Sequence, residues 1–84
     1  MSIITGDQIR AAKALLRWSG EELARRSGIS LSTIRRVEGQ SGIPEVQSVK
    51  TMTSIKLALE AAGIEFIGTP DDRPGVRLKH PKAE

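Results

Sequence analysis

Seven basic side chains stand in the first half of this chain: Arg10, Lys13, Arg17, Arg25, Arg26, Arg35 and Arg36. Four acids, Asp7, Glu21, Glu22 and Glu38, accompany them within residues 1–42. Residues 43–84 hold six bases and six acids, so the formal charge of +3 lies wholly on the first half. A one-sided excess of arginine is what binding to a polyanion requires; taken alone, the same charges read equally well as a solvated surface. No catalytic or metal-binding constellation accompanies them. The chain has no cysteine and one histidine, His80, which reads as a solvated tail residue. There is no glycine-rich phosphate loop, and the acid pairs Glu21-Glu22 and Asp71-Asp72 are explained by a helix start and a turn. The sequence therefore predicts no enzyme, no cofactor and no metal.

The bases sit on helical patterns. Over Thr5–Arg17, Ile9, Ala12, Leu15 and Leu16 recur at helical spacing and predict an inward stripe, with Thr5 or Asp7 as cap and Arg10, Lys13 and Arg17 on another face. Ser19–Glu38 carries two short helices meeting at Gly28. Ser19 is the predicted N-cap of the first, with Glu22 at capping-box spacing. Leu23 and Ala24 face inward, and Gly28 suits a left-handed helix end. Ser30 is the next N-cap, and Ile34 and Val37 form the buried stripe of the second helix. Its exposed set is then Leu31, Ser32, Thr33, Arg35 and Arg36. The small Ala24 and Gly28 predict that two helices cross at close range about a short turn, as a helix-turn-helix needs. Trp18, between the first two helices, is predicted to pack in the core.

Gly39–Gln47 reads as a loop, because Gly39, Gly42 and Pro44 interrupt any helix. Ser48–Ala62 is the next helix, with Val49, Met52, Ile55, Leu59 and Ala62 as its apolar stripe and Gly63 as its stop. Ile64–Ile67 and Val76–Lys79 read as strands, joined through the turn-forming Gly68–Gly75 as a β-hairpin or ribbon with a longer loop. At 84 residues one compact unit is expected, organised as residues 1–63 with a β extension and tail over 64–84. No membrane-length apolar run and no leader pattern are visible, and the lack of cysteine fits a reducing cytosol. A cytoplasmic location is predicted.

The order Glu-Leu-Ala-x-x-x-Gly-Ile-Ser-x-x-x-Ile-x-x-Val-Glu over Glu22–Glu38 resembles the phage-repressor family (Cro/cI-like, XRE) of helix-turn-helix DNA-binding regulators, and the resemblance extends over roughly Asp7 to Gly63. It implies a mainly α, four- to five-helix repressor-like domain. It also implies that the helix Ser30–Glu38 reads the major groove. Leu31, Ser32 and Arg36 take the base-facing places. Arg36 suits a bidentate bond to guanine, Ser32 either base type, and Leu31 a thymine methyl; Leu31 reads equally as an incidental exposed residue. Thr33 and Arg35 fall beside flanking phosphates. Ser19 and Ser30 offer helix N-termini to the backbone, flanked by Arg17, Arg25 and Arg26. Gln40 and Ser41 would follow the backbone in the loop, or serve as plain linker. The resemblance implies a contact between Lys13 and Glu38, although the family's usual residue at Lys13 is Arg, so a bidentate pair is lost. The family's usual Gln after the first N-cap is replaced here by Gly20, which removes one backbone contact.

The predicted function is sequence-specific DNA-binding transcriptional regulation, by repression in its simplest form. The partners would be double-stranded DNA and a second copy of the chain, paired through the apolar Ile64, Phe66, Ile67, Val76 and Leu78; the competing reading folds the hairpin back on the chain's own helices, with the dimer formed elsewhere or absent. The alternatives are an antitoxin-type protein that binds a toxin and represses its own operon, and a coactivator that bridges to the transcription machinery.

Overall fold

A computed structural model of the chain describes residues 4–40, 42 and 48–79. The described residues form four helices followed by a two-stranded antiparallel hairpin: α1 (Gly6–Leu16), α2 (Gly20–Ser27), α3 (Leu31–Glu38), α4 (Val49–Ala61), β1 (Ile64–Thr69) and β2 (Asp72–Leu78). The mainly α architecture with a C-terminal hairpin is thus present. The readings of Ser41 and of residues 43–47 in the loop, and of His80 in the tail, fall outside the described residues.

Each helix begins at a hydroxyl. Thr5, Ser19, Ser30 and Ser48 are the N-caps, and each accepts a hydrogen bond from the backbone N–H three residues on. Thr5, not Asp7, caps α1, and it does so in a complete capping box. Gln8 N donates to Thr5 Oγ1 at 3.1 Å, and Thr5 N donates to Gln8 Oε1 at 2.9 Å. At Ser19 the predicted box is only half made. Glu22 N donates to Ser19 Oγ, but the Glu22 carboxylate is turned to Arg25 and Arg26 instead. Two guanidinium groups attract a carboxylate more strongly than one neutral amide does.

The core is the predicted stripe of each helix drawn together: Ile9, Ala12 and Leu16 of α1, Leu23 of α2, Ile34 and Val37 of α3, Ile55 and Leu59 of α4, closed by Ile4 and Ile64. Trp18, Ala24, Met52 and Ala62 pack against it half-buried. Two expected members are corrected. Leu15 is 42% exposed, because it lies at the margin of the α1 stripe and no described element covers it. Val49 is 66% exposed, because it occupies the first position of α4 and overhangs the layer that Met52 and Ile55 join.

The hairpin departs furthest from expectation. Its strands run through most of the predicted long loop, leaving only Pro70 and Asp71 between Thr69 and Asp72, which pair. A register shift between Ile67 and Thr69 places Arg73 and Pro74 opposite Gly68, with Gly68 and Arg73 both at positive φ. A bulge of this kind admits a proline, whose missing N–H would break a regular ladder. On one face Ile64 pairs with Leu78 and Phe66 with Val76, and all four pack against the chain's own helices. Ile64 is buried, Phe66, Val76 and Leu78 are half-buried against the core, and Ile67, the fifth apolar residue of the segment, is not among those that pack there. On the other face Arg77 grips Glu65 through two bonds of 3.0 and 3.1 Å.

Gln8 joins the helices to the hairpin. It is 4% exposed. While its Oε1 completes the cap of α1, its Nε2 donates to the carbonyls of Gly75 at 2.9 Å and Ile67 at 3.3 Å, two residues paired across the strands. Gln8→Glu keeps the capping oxygen but removes that donor and leaves two carbonyls facing a carboxylate. It should destabilise by about 1–3 kcal/mol and speed amide exchange in β1 and β2 before α2 and α3. A urea melt with residue-resolved hydrogen exchange checks this; unchanged hairpin protection would show that the bond is incidental.

Candidate nucleic-acid interface

α2 and α3 meet about a turn of three residues. Gly28 ends α2 at φ 74°, the left-handed conformation that most side chains adopt only at a cost, and its N–H donates to Ala24 O at 2.9 Å. A Cβ at Gly28 would meet nothing within 4 Å. The predicted reason for this glycine is thus half corrected: it is needed for backbone conformation, not for close approach. The close approach lies at Gly6 instead. A Cβ there would sit 1.9 Å from Gln40 O and 2.6 Å from Val37 O. Only a glycine lets the first turn of α1 rest on the last turn of α3.

Two cations of α1 finish this seam. The Arg10 guanidinium, paired with Asp7, donates to the backbone carbonyl of Glu38, where the α3 dipole favours positive charge. Lys13 Nζ lies 2.8 Å from Glu38 Oε1, with side chains only 17% and 15% exposed. The contact implied by the family resemblance is present, and the single ammonium reaches one oxygen: Glu38 Oε2 is buried without a hydrogen-bond partner among the described residues.

With Ile34 and Val37 turned inward and the C-terminal end of α3 held, the rest of the helix faces outward. Ser32, Arg35 and Arg36 are exposed, and Leu31 and Thr33 half-buried. Leu31 leans toward α2: a Cβ on Gly20 would lie 3.3 Å from its Cδ1. Gly20, which departs from the family pattern, thus makes room for Leu31. Ser30 Oγ is occupied by Thr33 N at 3.3 Å and Thr33 Oγ1 at 3.0 Å, and lies 3.3 Å from Ser32 Oγ. What Ser19 and Ser30 leave open to an anion is the uncapped N–H groups of the first turns behind them.

The arginines divide into two sets. Arg17 and Arg36 make no ion pair with any described acid. Arg25 and Arg26 both pair with Glu22, and the Arg26 guanidinium also lies 4.5 Å from the centre of the Trp18 ring. Those two bonds, Arg26's first and Arg25's second, hold the Glu22 carboxyl below the usual carboxylate range. Arg35 lies 3.8 Å from Glu21, with both side chains about two-thirds exposed, so this pair contributes little. Gln40 Nε2 donates to Arg36 O at 3.3 Å, turning back onto α3.

The structure brings Leu31, Ser32, Thr33, Arg35 and Arg36 onto one helix, with Ser19 and Ser30 at adjoining helix starts. Three structural roles were not read from the sequence. Gln8 and Gly6 carry no local signal for their tertiary partners. Arg17 ends α1 in the left-handed region at φ 59°, a place usually held by glycine, with Trp18 N donating to Lys13 O at 2.9 Å. No glycine marked that helix end. Among the described residues, no group of three or more His, Cys, Asp or Glu could hold a metal ion, and no helix is long and apolar enough to cross a membrane. No family model and no curated protein matches the chain.

Two substitutions separate the seam from the outward face. Lys13→Ala strands a largely buried carboxylate and should cost about 3 kcal/mol, most of it recovered in the Lys13→Ala/Glu38→Ala double variant; thermal melts of the three proteins decide it. Arg17→Gly relieves the left-handed backbone and should raise stability by about 1 kcal/mol while removing one cation. A Tm that falls would show that the Arg17 side chain holds the junction together.

Proposed function

We propose that this chain binds double-stranded DNA sequence-specifically as a transcriptional regulator of the Cro/cI-like kind, most simply a repressor, with α3 in the major groove. The observation that carries the reading is the pairing of α2 and α3 about the left-handed Gly28, with α3 anchored at Glu38 and its Ser32 and Arg36 side chains outward. A helix presented in this way reads base edges with its N-terminal residues and exposed face. Arg36, with no acid partner among the described residues, is the side chain available for a bidentate bond to guanine. Ser32 is exposed beside it, and Leu31, tilted over Gly20, offers its remaining surface to a thymine methyl. Arg17 and the first turns of α2 and α3 adjoin as phosphate contacts, which fix register rather than sequence.

The reading includes a homodimer, because one helix-turn-helix covers few base pairs and two copies gain affinity on half-sites about one helical turn apart. Since Ile64, Phe66, Val76 and Leu78 face the chain's own helices, a second copy would meet the hairpin through its outer strand edges, which are open to pairing.

Selection of bound sequences from a random DNA pool tests the reading directly. A short, preferred and partly palindromic site is the expected result; no enrichment would overturn it. On that site Arg36→Ala should cost about 1–3 kcal/mol and relax preference at one base pair. An unchanged selected sequence and affinity for Arg36→Ala would place the reading face elsewhere on the molecule.

A further inference from the structure

Glu22 holds Arg25 and Arg26, the two cations of α2, the helix that precedes the proposed reading helix. Arg25 meets its carboxylate at two points, Nη2 to Oε2 at 2.5 Å and Nε to Oε1 at 3.4 Å. Arg26 donates its Nε to the same Oε2. The three residues occupy successive turns on one flank of α2, at spacings of three and four. We propose that Glu22 stands in for a DNA phosphate in the free protein, holding Arg25 and Arg26 in place until the sugar-phosphate backbone takes them over.

This rests on the duplex-binding reading above. A planar guanidinium gripping two oxygens of one anion makes the same fork with a carboxylate as with a phosphate. The carboxylate is the least accessible member of the cluster, at 28% exposed against 68% for Arg25 and 47% for Arg26. Both guanidinium groups therefore keep a solvent-facing side from which a phosphate can approach before Glu22 lets go. Arg26 has a second support in the Trp18 ring, so it stays extended whichever anion it meets. The exchange limits affinity. Each phosphate neutralised releases counterions from the DNA, but the freed Glu22 carboxylate gathers a cation and lies near the phosphates that displaced it. Arg17 and Arg36, which have no such partner among the described residues, are available without exchange. Sequence-independent attraction is thereby held down relative to the base contact of Arg36.

The test is Glu22→Gln, made both in the wild-type chain and in an Arg25→Gln/Arg26→Gln background. Binding to the selected duplex and to a random duplex is followed by fluorescence anisotropy across a range of salt. In the wild-type chain the substitution should tighten binding about fivefold. The slope of log K against log salt should steepen by about 0.9, the value for one phosphate. In the double-arginine background it should do neither. Unchanged affinity in the wild-type chain, or an equal gain in both backgrounds, overturns the proposal, because the second result is what a distant charge would give. A further readout needs no variant. Trp18 is the only tryptophan, and exchange at Arg26 should change its emission on saturation with duplex; emission that stays constant counts against the proposal. A wild-type chain that binds no duplex at low salt overturns the duplex-binding reading itself, an outcome distinct from all of these.

Discussion

A carboxylate that is 15% exposed must find positive charge, and the position of Glu38 at the last turn of α3 makes that need the constraint on which the arrangement turns. Lys13 answers it at 2.8 Å from α1, and Arg10 binds the carbonyl of the same residue. The two helices could not approach so closely with any side chain at Gly6, where a Cβ would overlap the carbonyls of Val37 and Gln40. Charge and steric fit thus act on one seam. Because α3 is held at its C-terminal end and packed through Ile34 and Val37, its rotation is set. With that rotation goes the direction in which Ser32, Arg35 and Arg36 point.

The same helix carries the hairpin. One flank of α1 is occupied by α3, and Gln8 on its first turn reaches the paired residues Ile67 and Gly75. A chain of this length buries only a modest fraction of its surface, and the hairpin makes up part of the shortage. Ile64 is 1% exposed, and Phe66, Val76 and Leu78 lie against the core. The β extension is therefore bound into the helical unit through its apolar face and through the cap of α1. A change in how the hairpin sits would be felt first at Thr5 and Gln8, one turn from the seam that orients α3.

Electrostatics on the outward side follow a division of labour. Glu21 and Glu22 satisfy the positive end of the α2 dipole, yet Glu22 also gathers Arg25 and Arg26, and Glu21 lies within reach of Arg35. The net charge of +3 says little about how many cations face an incoming polyanion. The pairing pattern says more, and among the described residues it leaves Arg17 and Arg36 without an acid partner, one adjoining α2 and one on α3.

Much of this was legible in the residues because the interactions concerned are local. A serine N-cap meets the backbone three residues away, a left-handed glycine depends on its own φ, and a stripe such as Ile55 and Leu59 follows from helical periodicity alone; Ser19, Ser30 and Gly28 are all where the pattern put them. The contact between Lys13 and Glu38 was reached through the family resemblance, since no spacing rule links residues so far apart. What remained illegible depends on which element covers which face. Leu15 fits the α1 stripe as well as Leu16 does, and only packing shows that it stays 42% exposed while Leu16 is buried. Glu22 fits a capping box, and only the placement of two guanidinium groups shows why its carboxylate turns elsewhere. Pro74 reads as a loop residue until a bulge opposite Gly68 gives it a place in a strand. Backbone conformation and periodicity are properties of a few consecutive residues, whereas the partner of a long polar side chain and the cover over an apolar one are set by elements distant in sequence, so only the tertiary structure decided them.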